Sequence, residues 1–123
     1  MIRFLLLFIS IFTCNPTGYA SGWVKIYEDN IRTSYVDIDR LEKQKQSVVF
    51  WSLIDYKNNN ISSISKHRAF CDEGKKIHLY FSYYNQPMGS GRVVGQDNWT
   101  KTYNPKPGTL KHEMMKFACN KAR

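Results

Sequence analysis

The sequence predicts an α+β domain in which an antiparallel sheet is followed by one C-terminal helix laid on a face of it. Three observations carry this. Between Trp23 and Tyr103 the chain falls into short segments rich in β-branched and aromatic residues, separated by turn-forming clusters. A helical apolar period appears only once, in the last fifteen residues. Two cysteines, Cys71 and Cys119, lie where a disulfide would tie that helix to the sheet. At 123 residues the chain has room for one core.

The N-terminus is read as a separate unit. Met1-Ile2-Arg3 is a short basic start, and Phe4 to Phe12 is apolar apart from Ser10. Those nine residues would span about 14 Å as a helix, less than half of a ~30 Å bilayer core. A polar stretch with small residues at Gly18 and Ala20 follows, which is the pattern of a secretory signal cleaved after Ala20. Residues 1–20 are therefore expected to be a signal peptide and 21–123 the domain. Acylation at Cys14 is the alternative; Ile11 suits a lipoprotein signal, whereas Phe12 and Thr13 suit it poorly. Cleavage after Ala20 removes one basic residue and Cys14, leaving an even pair of cysteines in an exported chain, hence one bridge.

The elements follow in order. Trp23 to Glu28 alternates, with Trp23, Lys25 and Tyr27 on one side and Val24 and Ile26 on the other; Ile31 to Val36 completes a hairpin across Asp29-Asn30. Leu41 to Gln46 reads as polar connection. Ser47 to Tyr56 is apolar on both faces, so it is predicted to be central with material packed on each side. Ile61 to Cys71 pairs with it. Lys76 to Tyr84 alternates Ile77, Leu79, Phe81 and Tyr83 against Lys76, His78, Tyr80 and Ser82, with one face going to the core. Asn85 to Asn98, with three glycines and a proline, is expected to be a long mobile loop, with a brief strand at Arg92 to Val94. Trp99 to Tyr103 is a last strand. Thr109 is placed as the N-cap of a helix over Leu110 to Cys119, whose stripe is Leu110, Met114 and Phe117, widened by Met115 and Ala118.

Little in the chain points to catalysis. Gly89 to Gly95 is GxGxxxG, without the Lys-Ser/Thr ending or following helix of a phosphate loop. His67 and His78 lie on neighbouring strands and can meet, but spacing nominates no third metal ligand. His67 with Arg68, and His112 with Glu113, are the only local acid–base material, and neither sits in a motif. The chain is read as a non-enzyme without metal or cofactor.

What remains is recognition. A formal charge of +8 points to acidic partners. Export turns that from nucleic acid towards an extracellular or envelope protein or an acidic glycan. Lys66, Arg68, Lys75 and Lys76 fall on adjoining strands and form a candidate basic patch; Tyr80 and Tyr84 are candidate aromatic contacts. An exposed edge strand leaves monomer and homodimer both open.

The order of landmarks carries a resemblance. Trp23 opens the first strand and Tyr35-Val36-Asp37 closes the second. Val49 to Tyr56 reads V-x-W-x-L-x-D-Y, Ser65 precedes Cys71, and Trp99 is followed by Pro107-Gly108-Thr109 and a helix ending at Cys119. Across the whole exported part the chain resembles the bacterial surface-adhesin protein E family. The resemblance implies a curved antiparallel sheet with its C-terminal helix tied by Cys71–Cys119. It also implies a Gram-negative envelope protein, in the periplasm or at the outer-membrane surface. The best-known member binds laminin, vitronectin and plasminogen, so binding of host matrix or serum proteins is the expectation. A periplasmic module that holds a small ligand or inhibits an envelope hydrolase is the alternative. No binding residues carry over. Mass analysis of the N-terminus of the exported protein is expected to find Ser21 free; an acylated Cys14 would overturn soluble export and establish a membrane anchor.

Overall fold

The computed structural model describes residues 22–123. The signal-peptide and Cys14 readings lie outside the described residues. Strands β1 (Trp23–Glu28), β2 (Arg32–Asp37), β3 (Glu42–Lys43), β4 (Val48–Tyr56), β5 (Ile61–Phe70), β6 (Lys75–Tyr84), β7 (Val93–Asp97) and β8 (Lys101–Tyr103) precede helix α1 (Leu110–Lys121). All eight form one open antiparallel sheet in the order β1-β2-β4-β5-β6-β7, with β3 beside β4 and β8 beside β6. Among the described residues no helix is long and apolar enough to cross a membrane.

Helix α1 starts where the sequence places it: Thr109 Oγ1 accepts the His112 N–H at 3.2 Å. Leu110, Met114, Met115 and Ala118 pack on Val36, Phe50 and Ala69 of the sheet's inner face, with Phe117 partly buried beside them. Cys71, one residue past β5, is bonded to Cys119 near the end of α1, with the two Cα atoms 5.9 Å apart.

Strand β4 is central and covered on both sides. Val48 and Phe50 face the helix, while Val49 and Leu53 are buried on the outer face. Among the described residues no second helix covers that outer face; part of the Asn85–Asn98 segment does. A 3-10 turn at Pro87–Gly89 lies against Leu53 and Ile64, so close that a Cβ on Gly89 would come within 2.6 Å of Ile64 Cδ1. Gly89 also has φ +68°, so two constraints require glycine there. The segment expected to be mobile is tied down. Met88 N–H donates to Asp55 Oδ1 at 2.7 Å, Gly89 N–H donates to Ser62 Oγ at 2.8 Å, and Ser62 Oγ donates to the Gln86 carbonyl at 2.6 Å. The brief strand in it is longer than expected and shifted, Val93–Asp97 rather than Arg92 to Val94.

Two β-bulges correct the alternation read from sequence. The β5–β6 register passes from His67↔His78 to Lys66↔Tyr80, so Leu79 is an extra residue. Lys76 and His78 before it therefore share the inner face with Phe81 and Tyr83 after it, whereas Ile77 and Tyr80 face outward. In β1 the shift between Lys25 and Tyr27 turns Tyr27 inward, where it packs on the helix core beside Ile26.

The bridge joins residues 48 apart in sequence. Closing a loop of that size is expected to stabilise the domain by about 4 kcal/mol, out of a typical total of about 5–15. Urea unfolding of a Cys71→Ser/Cys119→Ser variant should show that loss. A variant as stable as the oxidised parent would mean that α1 is held by packing alone.

Candidate binding surfaces

Two regions of the sheet are left uncovered, one on each face. On the outer face, three cross-strand neighbours, Trp51 of β4, Lys66 of β5 and Tyr80 of β6, run side by side. Lys66 Nζ lies 5.5 Å from the Trp51 ring centre, and Tyr80 meets Trp51 edge-on at 6.1 Å. Arg40 reaches over from the turn after β2: its guanidinium carbon is 4.7 Å from the Trp51 ring centre and 5.6 Å from that of Trp23. Asp37 Oδ2 accepts from Arg40 Nε at 2.7 Å and fixes that placement. Arg68 stands on the same face, opposite Ile77. Lys75 sits over Phe70 at 5.0 Å and pairs with Glu73 at 3.1 Å.

Of the residues nominated from sequence, Lys66, Arg68, Lys75 and Tyr80 thus share the outer face. Tyr84 is also outward but nearer the Pro87–Gly89 turn, and its hydroxyl accepts from Ser82 Oγ at 3.2 Å. Lys76 does not join the patch. It points to the inner face and is 1% exposed. Arg40, Trp23 and Trp51 were missed because they converge from segments far apart in sequence. A strand register was needed to find them.

The inner face carries a cleft of about 280 Å³ where the sheet extends beyond α1. Ser52, Ser63, Ser65, His67, Lys76 and His78 line its floor, and Trp99, Tyr103 and Lys111 stand around it. His67 Nε2 and Ser52 Oγ are hydrogen-bonded at 2.9 Å, and His67 stacks on Phe50. His78 meets His67 edge-on at 5.7 Å and stacks on Trp99 at 5.2 Å. Among the described residues no group of three His, Cys, Asp or Glu side chains could hold a metal ion.

The electrostatics of this cleft are one-sided. Burial, then the charge of Lys111, lowers the Lys76 pKa from its ordinary value to about 7. His67 is held well below its usual value, first by burial and then by Lys76, His78 and Lys111. His78 is lowered by burial and Lys76, with Asp97 acting against them. Lys111 is lowered by burial, Lys101 and Arg32.

A buried base lowered in the folded state makes stability depend on pH. Below pH about 7 Lys76 is charged in both states and its burial penalty is complete; the penalty fades as pH rises towards the unfolded value of 10.5. Lys76→Met is therefore expected to melt higher than the parent at pH 6, by about 4–8 °C for each kcal/mol relieved. The difference should shrink by pH 9. A difference that stays constant between those pH values would show that Lys76 keeps its charge in the folded protein and that its pKa is not lowered.

The family model for surface-adhesin protein E matches residues 23–120. No curated protein sequence matches the chain. Among solved structures, crystal form II of Haemophilus influenzae protein E is similar at 15% identity with a TM-score of 0.67, over 93% of this chain and 100% of that one. A second structure of Haemophilus influenzae protein E matches at 15% identity and TM-score 0.63, over 88% of this chain and 91% of that one. Protein E from non-typeable Haemophilus influenzae matches at 16% and 0.60, over 88% and 82%. Such identities speak for the fold, and the family match covers nearly all the described residues. With its eight-stranded sheet, single C-terminal helix and Cys71–Cys119 bridge, the chain belongs to the surface-adhesin protein E family, an exported, envelope-associated, adhesin-like group.

Proposed function

We propose that this protein is a non-enzymatic binding domain of a Gram-negative envelope that holds acidic extracellular partners on its outer face. The partners are host matrix or serum proteins such as laminin, vitronectin and plasminogen, or acidic glycans. The observation that carries this reading is the basic–aromatic strip of Arg40, Trp51, Lys66 and Tyr80, flanked by Arg68 and Lys75. Aromatic rings supply contact area at little entropic cost, and the cations around them supply attraction. Asp55, the acidic residue on this face of β4, is occupied by the Met88 N–H. The small-ligand reading is favoured by a different observation, the cationic inner cleft, and concerns the other face.

The test is retention of the oxidised, exported protein on heparin, laminin, vitronectin and plasminogen surfaces. Binding should weaken as salt rises, because exposed charges are screened beyond about 8–10 Å at 0.1–0.15 M. Replacing Lys66, Arg68 and Lys75 together by Ala should lower affinity about tenfold or more, while Lys76→Met should not. No retention on any of the four at low salt would defeat the proposal, as would a triple variant that binds like the parent.

A further inference from the structure

The inner cleft is built unlike a core. Lys76 is 1% exposed, His67 4% and His78 8%, and Ser52 is 2% exposed on the same floor. Two of the buried nitrogens, His67 Nδ1 and His78 Nε2, have no hydrogen-bond partner. Buried polar atoms are ordinarily paired with protein, water or a ligand, so both nitrogens have hydrogen-bonding capacity left to offer. The Lys76 ammonium lies 5.5 Å from the Tyr103 ring centre, and Lys111 lies 4.1 Å from the same ring. Lys101 Nζ lies 5.3 Å from it. Among the charges that act on the cleft, Asp97 is the one carboxylate, and it acts on His78 and not on Lys76. The cleft thus gathers cations from β6, β8 and α1, with Arg32 of β2 behind Lys111, around a space that no protein anion fills.

Its walls narrow the ligand further. Trp99, 42% exposed and stacked on His78 through one face, has its other face for a flat apolar ligand, and Ser52, Ser63 and Ser65 of β4 and β5 line the same cleft with hydroxyls. A flat body with one apolar face and a hydroxyl-bearing edge suits that pairing, which is the shape of a sugar ring. The volume of about 280 Å³, at the small end of the usual ligand-site range of about 300–1,000 Å³, has room for a single sugar ring.

We propose that the inner cleft is a binding site for an acidic monosaccharide, a sugar ring bearing one carboxylate. Lys76 and Lys111 hold the carboxylate, Ser52, Ser63 and Ser65 meet ring hydroxyls, and the ring face lies against Trp99. The site is independent of the outer strip, so either can fail without the other. A bound carboxylate favours protonated Lys76, whose pKa is otherwise lowered to about 7, so affinity falls as pH rises through that value.

The experiment is an NMR titration of the oxidised, exported protein, following the ring C–H signals of His67, His78 and Trp99. Sodium glucuronate is the probe, with glucose, sodium acetate and glucose 6-phosphate as comparisons. Glucuronate is expected to shift these signals saturably, with an affinity about ten- to a hundredfold above those of glucose and acetate. Lys76→Met and Lys111→Ala should each lower it by a similar factor. Lys76→Met is expected to be more stable than the parent, so its loss of binding would not be unfolding. Replacement of Lys66, Arg68 and Lys75 should leave the titration unchanged. The proposal is overturned by the absence of saturable shifts at tens of millimolar, or by acetate or glucose binding as well as glucuronate. Tighter binding of the phosphate ester would replace the carboxylate by a phosphate and overturn it as stated. Indifference to both cleft variants, or loss of binding in the outer-face variant, would place the ligand elsewhere.

Discussion

The structure depends on a mismatch of size. Helix α1 has twelve residues, hence a length of about 18 Å, whereas six strands side by side span about 24 Å before β8 is counted. Its packing concentrates on β1, β2 and β4, where Val36 and Phe50 receive Met114 and Ala118. The disulfide fixes this choice by tying the helix's last turn to the end of β5. Everything on the inner face towards β6 and β8 is left for side chains of the sheet to manage. They manage it with serine, histidine and lysine set beside Phe81 and Tyr83. The cleft is the part of the sheet that the helix is too short to cover.

The outer face meets the same problem differently. A sheet exposed to water on one side ordinarily alternates apolar and polar residues, but β4 puts Val49, Trp51 and Leu53 outward. The Pro87–Gly89 turn covers Leu53 and Ile64. Over Trp51 the cover consists of Arg40 and Lys66, whose charged ends lie 4.7 and 5.5 Å from the ring centre. The two faces therefore hold their cations differently. Outside, Lys66, Arg68 and Lys75 are half-buried beside rings; inside, Lys101 and Lys111 are exposed while Lys76 is buried beneath them, which pushes its pKa down to about 7.

Much of this was legible in the sequence. The central place of β4 followed from apolar residues on both its faces, the helix from its period and Thr109, and the bridge from the pair Cys71 and Cys119. The bulges were not legible. Leu79 sits inside a run that alternates without a fault, so nothing in its composition marks it as extra; only the pairing with Lys66 and His67 does. That one residue is the difference between a strand with Phe81 and Leu79 in the core and a strand with Phe81 beside His78. Lys76 was read as surface because lysine is seldom buried, and the register of β6 against Ala69 overrides that tendency. The meeting of His67 and His78 was legible, because it needs only neighbouring strands. Its setting among Lys76, Lys111 and Trp99 was not, because those arrive from β6, α1 and the segment after β7.

The two cation sets differ in what they can discriminate. Solvated charges on a broad face attract any polyanion, and their pull decays within a Debye length; they set encounter rates more than identity. Desolvated groups act the other way. A buried ammonium without a carboxylate is costly in the empty protein. The histidine nitrogens beside it have fixed directions, and a ligand that cannot meet them leaves them unpaired. A misfit is therefore penalised at the inner cleft, whereas on the outer strip it merely gains less. The sheet's inner face can choose between ligands that its outer face can only gather.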